Sequence, residues 1–340
     1  MKLIQKVAVL GAGTMGSRIA AHLANAGVAT FLLDIVPPNL VPSDAKSRNQ
    51  VAAAGLDASR KSKPAAFFEA SLANLVTVGN FEDDLAKVAE ADWIIEAVVE
   101  NLDLKRALLR KVEALRRPGT IITTNTSGLP VAKIAEGFSD DFRRNWFGTH
   151  FFNPPRYMRL LELIPTPETD RTALDTIAHF CDTRLGKGIV SAKDTPNFIG
   201  NRIGIFSMLN VMRIMQAMDL TIEEVDALTG QAVGWPKSAT FRLTDMVGLD
   251  IVGHVVSNMA QNVHDERSDL QLPGFFQQML DRKWLGDKTK AGFYKKIKGA
   301  KAKKTNAMPS IGRLLNTMSR LSRSFPLSTW PRISRTLARE

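Results

Sequence analysis

The chain has 340 residues, 44% hydrophobic and 23% charged, with one cysteine and a formal net charge of +11. That length suffices for two domains with cores of their own, and the composition excludes collagen-like and disulfide-scaffolded classes. The excess charge is local: residues 295–340 hold six lysines, six arginines and one acid, so the body before them is neutral and gives no support to nucleic-acid binding.

The opening MKLIQKVAVL runs too soon into glycines to read as a secretory signal. No apolar run approaches the about 18 residues of a membrane span. Cys181 has no partner for an internal disulfide and lies in an apolar stretch, which predicts a buried structural thiol in a reducing, cytoplasmic setting.

In chain order, residues 6–10 (KVAVL) form an apolar run of strand length. Gly11-Ala12-Gly13-Thr14-Met15-Gly16 follows at once, then helical spacing over 17–26 that stops at Gly27, then a second apolar run ending in Asp34. Strand, tight turn, helix and strand within about 30 residues make one βαβ unit. Residues 45–72 are expected to be a helical insertion. Further short strands are expected at 75–78, 93–99, 120–124, 147–152 and 160–164, with helical stretches between them. This alternation predicts an α/β Rossmann domain over 1–193, a mainly parallel, doubly wound sheet. Asp194-Thr195-Pro196 marks a boundary, because a residue before proline avoids helical geometry. Helical periods follow at 198–218, 249–259 and 275–284, and Thr221-Ile222-Glu223-Glu224 is a capping box, so 194–294 is expected to be an all-α domain.

The glycine fingerprint carries the cofactor reading. Gly11 permits the sharp turn, Gly13 lets a pyrophosphate approach the backbone, and Gly16 lets helix and strand pack closely. The amides of Thr14 and Met15 open the helix toward the phosphates. Asp34 can bind both ribose hydroxyls and would repel a 2′-phosphate, so NAD is favoured over NADP. A flavin uses the same fingerprint, and a structural glycine turn would show it as well.

Thr123-Thr124-Asn125-Thr126-Ser127 ends a strand, which in this fold places Ser127 at the cofactor crevice, although a serine after a strand is often just a helix cap. His150 stands in an aromatic run before Pro154-Pro155, and Glu162 is a lone carboxylate among aliphatics. Two strands joined by a turn would bring them together, and an imidazole held by a carboxylate is a good general base. By chemistry alone His150 is as readily a core histidine or a ribose contact. The five histidines (His22, His150, His179, His254 and His264) show no ligand spacing, so no metal is expected.

NTSGL at 125–129, GTHFFNPPRYMRLLEL at 148–163, KDTPNFIGNR at 193–202, IIEAVVENLDLK at 94–105 and KTKAGFY at 288–294 together resemble the 3-hydroxyacyl-CoA dehydrogenase family. The likeness runs in order over 4–294 and looks closest to the dehydrogenase part of the bacterial multifunctional fatty-acid oxidation proteins. It implies NAD-dependent oxidation of a 3-hydroxyacyl-CoA in β-oxidation. His150 would be the general base and Glu162 the group that orients it. Ser127 and Asn201 would bind the reacting oxygen, with Glu100, Lys105 and Asn125 toward the nicotinamide end. It also implies an acyl-CoA substrate, a homodimer through 194–294, and an enoyl-CoA hydratase or thiolase partner. Arg60, Lys61 and Lys63 would meet the CoA phosphates or form a solvated helix face. Gly128 replaces the second serine of many relatives. A short-chain 3-hydroxybutyryl-CoA enzyme and a catalytically silent NAD-binding or assembly subunit are the alternatives.

Residues 295–340 carry no family likeness. They read as a disordered basic tail, or as a basic amphipathic arm over 310–325 that would touch anionic lipid or nucleic acid.

Overall fold

A computed structural model of the protein describes residues 3–38, 45–263, 271–296 and 305–307. The chain divides into two compact units, Met1–Arg202 and Ile203–Glu340.

The first unit is built on eight strands: β1 (Lys6–Leu10), β2 (Ala29–Asp34), β3 (Val76–Asn80), β4 (Trp93–Glu96), β5 (Ile121–Thr124), β6 (Trp146–Phe151), β7 (Leu160–Pro165) and β8 (Gly188–Ser191). Their order is β3-β2-β1-β4-β5-β6-β7-β8, and every pairing is parallel except β6 with β7. The order reverses beside β1, so β1 and β4 open the crevice in which such sheets bind ligands. β1 shows how the sheet is sandwiched. Val7 and Val9 belong to one apolar cluster with Ile19, Leu23 and Ile177, whereas Ala8 and Leu10 belong to another with Leu109, Val112 and Phe142. Successive side chains point to opposite faces, and helices cover both, which is why these strands read as unbroken apolar runs.

Helix α1 (Thr14–Asn25) follows the glycine turn and ends where Gly27 adopts φ 76°, as the glycine at that position predicts. The insertion is helical only in part. Ala45–Arg48 and Gln50–Arg60 are helices and Ala70–Leu75 is a 3₁₀ turn, but 61–69 is irregular. Pro64 supplies no amide hydrogen, and Ser62 Oγ accepts from Ala66 N at 3.1 Å, a local bond that competes with helix. β8 and the helix before it (Arg171–Leu185) are elements not anticipated from the sequence; the helix buries Cys181, whose thiol is pushed well above its usual range by burial.

In the second unit, the helices Ile222–Leu228, Phe241–Val247, Leu249–Asn262 and Gly274–Asp281 pack around Met212, Phe241, Phe275, Phe276 and Phe293. The expected capping box is formed: Glu224 N donates to Thr221 Oγ1 (3.3 Å), and Thr221 N donates to Glu224 Oε2 (2.8 Å). The KTKAGFY motif is structural here. Asp245 accepts from the amides of Phe293 and Tyr294, both at 2.8 Å, and a Cβ on Gly292 would lie 2.1 Å from its carboxylate oxygen. Tyr294–Lys296 pairs antiparallel with Thr305–Ala307. The amphipathic segment expected at 310–325 lies outside the described residues.

Candidate active site

The glycine turn has the geometry that phosphate binding needs. Gly11 sits at φ 105°, and a Cβ there would meet Ala97 O at 2.6 Å; on Gly16 a Cβ would meet Gly11 O at 1.8 Å. Among the described residues nothing stands within 4 Å of a Cβ built on Gly13, so the backbone is open to an incoming group beside the amides of Thr14 and Met15 at the helix start. Asp34 ends β2, and its two oxygens accept from Ala12 N (2.5 Å) and Ile35 N (2.7 Å). Each carboxylate oxygen can accept more than one hydrogen bond, so capacity for ribose hydroxyls is left. These residues fit a dinucleotide. Gly55 is a further part that sequence reasoning missed. A Cβ on it would lie 2.1 Å from Ala12 O, so the helix Gln50–Arg60 backs the turn only because a glycine is there.

A second layer is built around Glu96, also missed although it lies within a quoted motif. Its carboxylate is fully buried and accepts from Lys105 Nζ (2.7 and 2.9 Å), Thr124 Oγ1 (2.6 Å) and Val98 N (2.7 Å). Buried charges persist when paired and fully hydrogen-bonded, as here. Lys105 is itself 1% exposed and also lies 3.3 Å from Glu100. Glu100 Oε1 in turn accepts from Thr126 Oγ1 (2.6 Å), Ser127 N (3.0 Å) and Gly128 N (2.9 Å), which fixes the loop carrying Ser127. Partial burial would raise the Glu100 carboxyl, but the Lys105 charge and these donors outweigh it and hold it below the usual carboxylate range. Ser127 is not a helix cap. The amides of Val131 and Ala132, which open the next helix, donate to Asp194, both at 2.8 Å. Asn125 Oδ1 accepts from Phe151 N (2.9 Å), tying this loop to β6.

His150 and Glu162 meet as the strand-turn-strand reading expects. They are opposite partners in the antiparallel β6–β7 ladder, and Nδ1 lies 2.6 Å from Oε2. Glu162 is fully buried, and its other oxygen accepts from the amides of Ile199 (2.9 Å) and Gly200 (2.7 Å). Burial alone would raise this carboxyl; the His150 hydrogen bond and the two amides more than offset that and hold it below its usual range. An ionised Glu162 makes Nδ1 the protonated ring nitrogen and leaves Nε2 with the basic lone pair. The rings of Phe152 and Phe198 flank the imidazole at centroid distances of 4.5 and 5.5 Å. Phe198 and Asn197 both adopt left-handed backbone, with φ of 51° and 60°, a conformation that costs a bulky residue energy and is concentrated at functional sites. The strained turn delivers the two amides to Glu162, and Asn201 follows directly in the first turn of the helix Gly200–Ala217.

Of the three bases suggested for CoA, Lys61 pairs with Asp57 at 2.6 Å, Arg60 closes the helix Gln50–Arg60 and Lys63 lies in the irregular segment after it, both exposed. Among the described residues, no group of three or more His, Cys, Asp or Glu is placed to hold a metal.

Residues 6–195 match the description "3-hydroxyacyl-CoA dehydrogenase, NAD binding domain", and residues 198–296 match "3-hydroxyacyl-CoA dehydrogenase, C-terminal domain". The chain belongs to the 3-hydroxyacyl-CoA dehydrogenase family. Members of this family are NAD-dependent dehydrogenases, and the first unit carries their NAD-binding domain. A probable 3-hydroxyacyl-CoA dehydrogenase of Deinococcus radiodurans is 47% identical over 300 residues, covering 88% of this chain and 85% of that one. A probable 3-hydroxyacyl-CoA dehydrogenase of Bacillus subtilis is 47% identical over 305 residues, but the match covers 87% of this chain and only 39% of the longer relative. Among solved structures, FadB2 of M. tuberculosis superposes with a TM-score of 0.73 at 28% identity, over 87% of this chain and 100% of its own. The fold of this family, a mainly parallel sheet followed by helices, is the fold seen here.

Proposed function

We propose that the chain oxidises the 3-hydroxyl of an (S)-3-hydroxyacyl-CoA to the 3-ketoacyl-CoA in fatty-acid β-oxidation, in the cytoplasm. The observation that carries this reading is the buried His150–Glu162 pair at 2.6 Å, in the same unit as a glycine turn shaped for a dinucleotide. The turn at Gly11, Gly13, Thr14, Met15 and Gly16, together with Asp34, would hold NAD, with Glu100, Lys105 and Asn125 toward its reactive end. When bound, NAD supplies the hydride acceptor for C3 of the substrate.

His150 Nε2 takes the proton of the 3-hydroxyl. Glu162 keeps the ring in the tautomer that presents Nε2 and stabilises the imidazolium once the proton has moved. The Phe152 and Phe198 rings keep bulk water from the imidazole, which strengthens its pairing with Glu162. Ser127 Oγ and the Asn201 amide donate to the reacting oxygen. Lys105 acts at one remove: its ammonium pairs with both Glu96 and Glu100, and Glu100 sets the Ser127 loop.

Residues 1–193 are assigned to the cofactor, and 194–294 to substrate binding and a homodimer interface. Support for the dimer comes from large apolar side chains left exposed there, among them Ile203 (61%), Met218 (64%), Val233 (60%) and Trp235 (49%). A monomer in light scattering would remove it. An enoyl-CoA hydratase or thiolase partner is supported by a 34% identical relative, a "putative fatty acid oxidation complex trifunctional enzyme" of Rickettsia felis.

The decisive test is NADH consumption with acetoacetyl-CoA, comparing the wild type with His150→Ala. The reading expects wild-type turnover and a loss of about 10²-fold or more in the variant. A folded, NADH-binding wild type without turnover would replace it with a silent subunit.

A further inference from the structure

Lys187 is buried at 3% exposure, and among the described residues no carboxylate pairs with it. Its neighbours are Cys181 on the helix Arg171–Leu185 and His22 on α1, neither of which brings a negative charge. An ammonium held this way is costly unless its protons are otherwise satisfied. They are. Nζ donates to Pro155 O and, at 2.9 Å, to Met158 O, and it lies 5.6 Å from the centre of the Phe151 ring. Burial pulls its pKa down to about 8, the direction that cost dictates.

Both carbonyls belong to one segment, residues 152–159, which connects the strand of His150 to the strand of Glu162. That connection is tied to other parts of the unit. Its Phe152 ring rests on the imidazole of His150. Asn153 accepts from Arg18 on α1 at 2.5 Å, the helix that opens at the glycine turn. Arg156 donates to Ala65 O (2.8 Å) and Phe67 O (2.9 Å), and the Tyr157 hydroxyl donates to Ala65 O (3.0 Å), in the irregular segment that follows the bases at 60–63. The β6–β7 ladder already sets the register of His150 and Glu162. What the ladder does not set is the connection itself, with the ring of Phe152 and the amide of Asn153. Lys187 reaches it from the position just before β8, the strand on the far side of β7.

We propose that Lys187 is a positioning residue: its buried ammonium staples the β6–β7 connection so that Phe152 and Asn153 stay fixed against His150 and the cofactor helix. The catalytic part of this inference rests on the proposed dehydrogenase activity; the stapling part stands without it. An uncharged side chain of similar length fills the space but leaves two carbonyls without a donor. A guanidinium restores both the charge and the donors.

The experiment uses the full chain as Lys187→Met and Lys187→Arg, with three readings: thermal midpoint, amide hydrogen exchange, and steady-state reduction of acetoacetyl-CoA by NADH. In Lys187→Met, the amides of Tyr157 and Met158, which both donate to Pro154 O at 3.0 Å, should exchange about 10-fold faster, whereas β6 and β8 keep their protection. kcat should fall about 10-fold or more while KM for NADH stays within about twofold, because misplacement in a preorganised site is felt in turnover. Lys187→Arg should recover both. Unchanged exchange and kcat in Lys187→Met would overturn the proposal. So would a collapse of protection across the whole first unit with a lowered midpoint, since that describes a lysine needed only for folding. If the wild type does not turn over while the connection still loosens in Lys187→Met, the dehydrogenase reading fails and the staple survives.

Discussion

His150 and Glu162 stand directly opposite one another in the antiparallel ladder between β6 and β7, and this pairing brings Nδ1 to 2.6 Å from Oε2. Opposite residues in such a ladder share a face of the sheet, so the contact depends on register; a slip of one residue would send the two side chains to opposite faces.

Glu162→Gln tests what the carboxylate contributes. The carboxamide still accepts from Ile199 and Gly200, so the fold should hold, but it no longer stabilises an imidazolium or enforces the Nδ1-protonated tautomer. Expected is a fall in kcat of about 10²-fold or more with an unchanged circular dichroism spectrum. Turnover within a few-fold of wild type would show that His150 needs no orienting charge.

Gly13 and Gly16 separate cofactor binding from folding. A Cβ on Gly16 would lie 1.8 Å from Gly11 O, so Gly16→Ala should lower the thermal midpoint or prevent folding. Among the described residues nothing lies within 4 Å of a Cβ on Gly13, so Gly13→Ala should fold normally and lose about 10-fold or more in NADH affinity, read by fluorescence titration. A Gly13→Ala protein that bound NADH like the wild type would mean the pyrophosphate does not pass this backbone.

His22 predicts acid sensitivity. It is 6% exposed and enclosed beside Lys187. Burial first, and then the charge of Lys187, lower its pKa from 6.5 to about 3. The unfolded chain takes up a proton below 6.5 that the folded chain refuses until about 3, so stability drops as pH falls through that window. The slope approaches about 1.4 kcal/mol per pH unit once the unfolded histidine is charged. Glu162, whose folded value is also depressed, adds to the loss at its lower end. His22→Leu should lose less stability than the wild type between pH 7 and pH 5, measured by urea midpoints. Parallel losses in the two proteins would assign the acid limb to other groups.

The glycine fingerprint, Asp34, the parallel strands and the His-to-Glu hairpin were legible in the sequence because each rests on local chemistry. A turn needs its glycines, a strand buried on both faces needs an apolar run, and a capping box needs Thr221 and Glu224 three residues apart. Glu96 was not legible as a hub. Its partners Lys105 and Thr124 lie 9 and 28 residues away in sequence; the pairing of β4 with β5 brings Thr124 to the carboxylate, and the packing of the helix Leu102–Leu115 brings Lys105. Likewise, whether Ser127 caps a helix was settled by Asp194, which the tertiary fold brings to that helix from beyond β8. Lys187 carried no signal of its own in the sequence; only the packed sheet shows its ammonium enclosed beside the β6–β7 connection. Local periodicity and turn chemistry determined the elements and the residue types available for the reaction. Burial and long-range hydrogen bonds depend on which elements become neighbours, so the tertiary structure alone decided which charges are paired, which are exposed and which hold others in place.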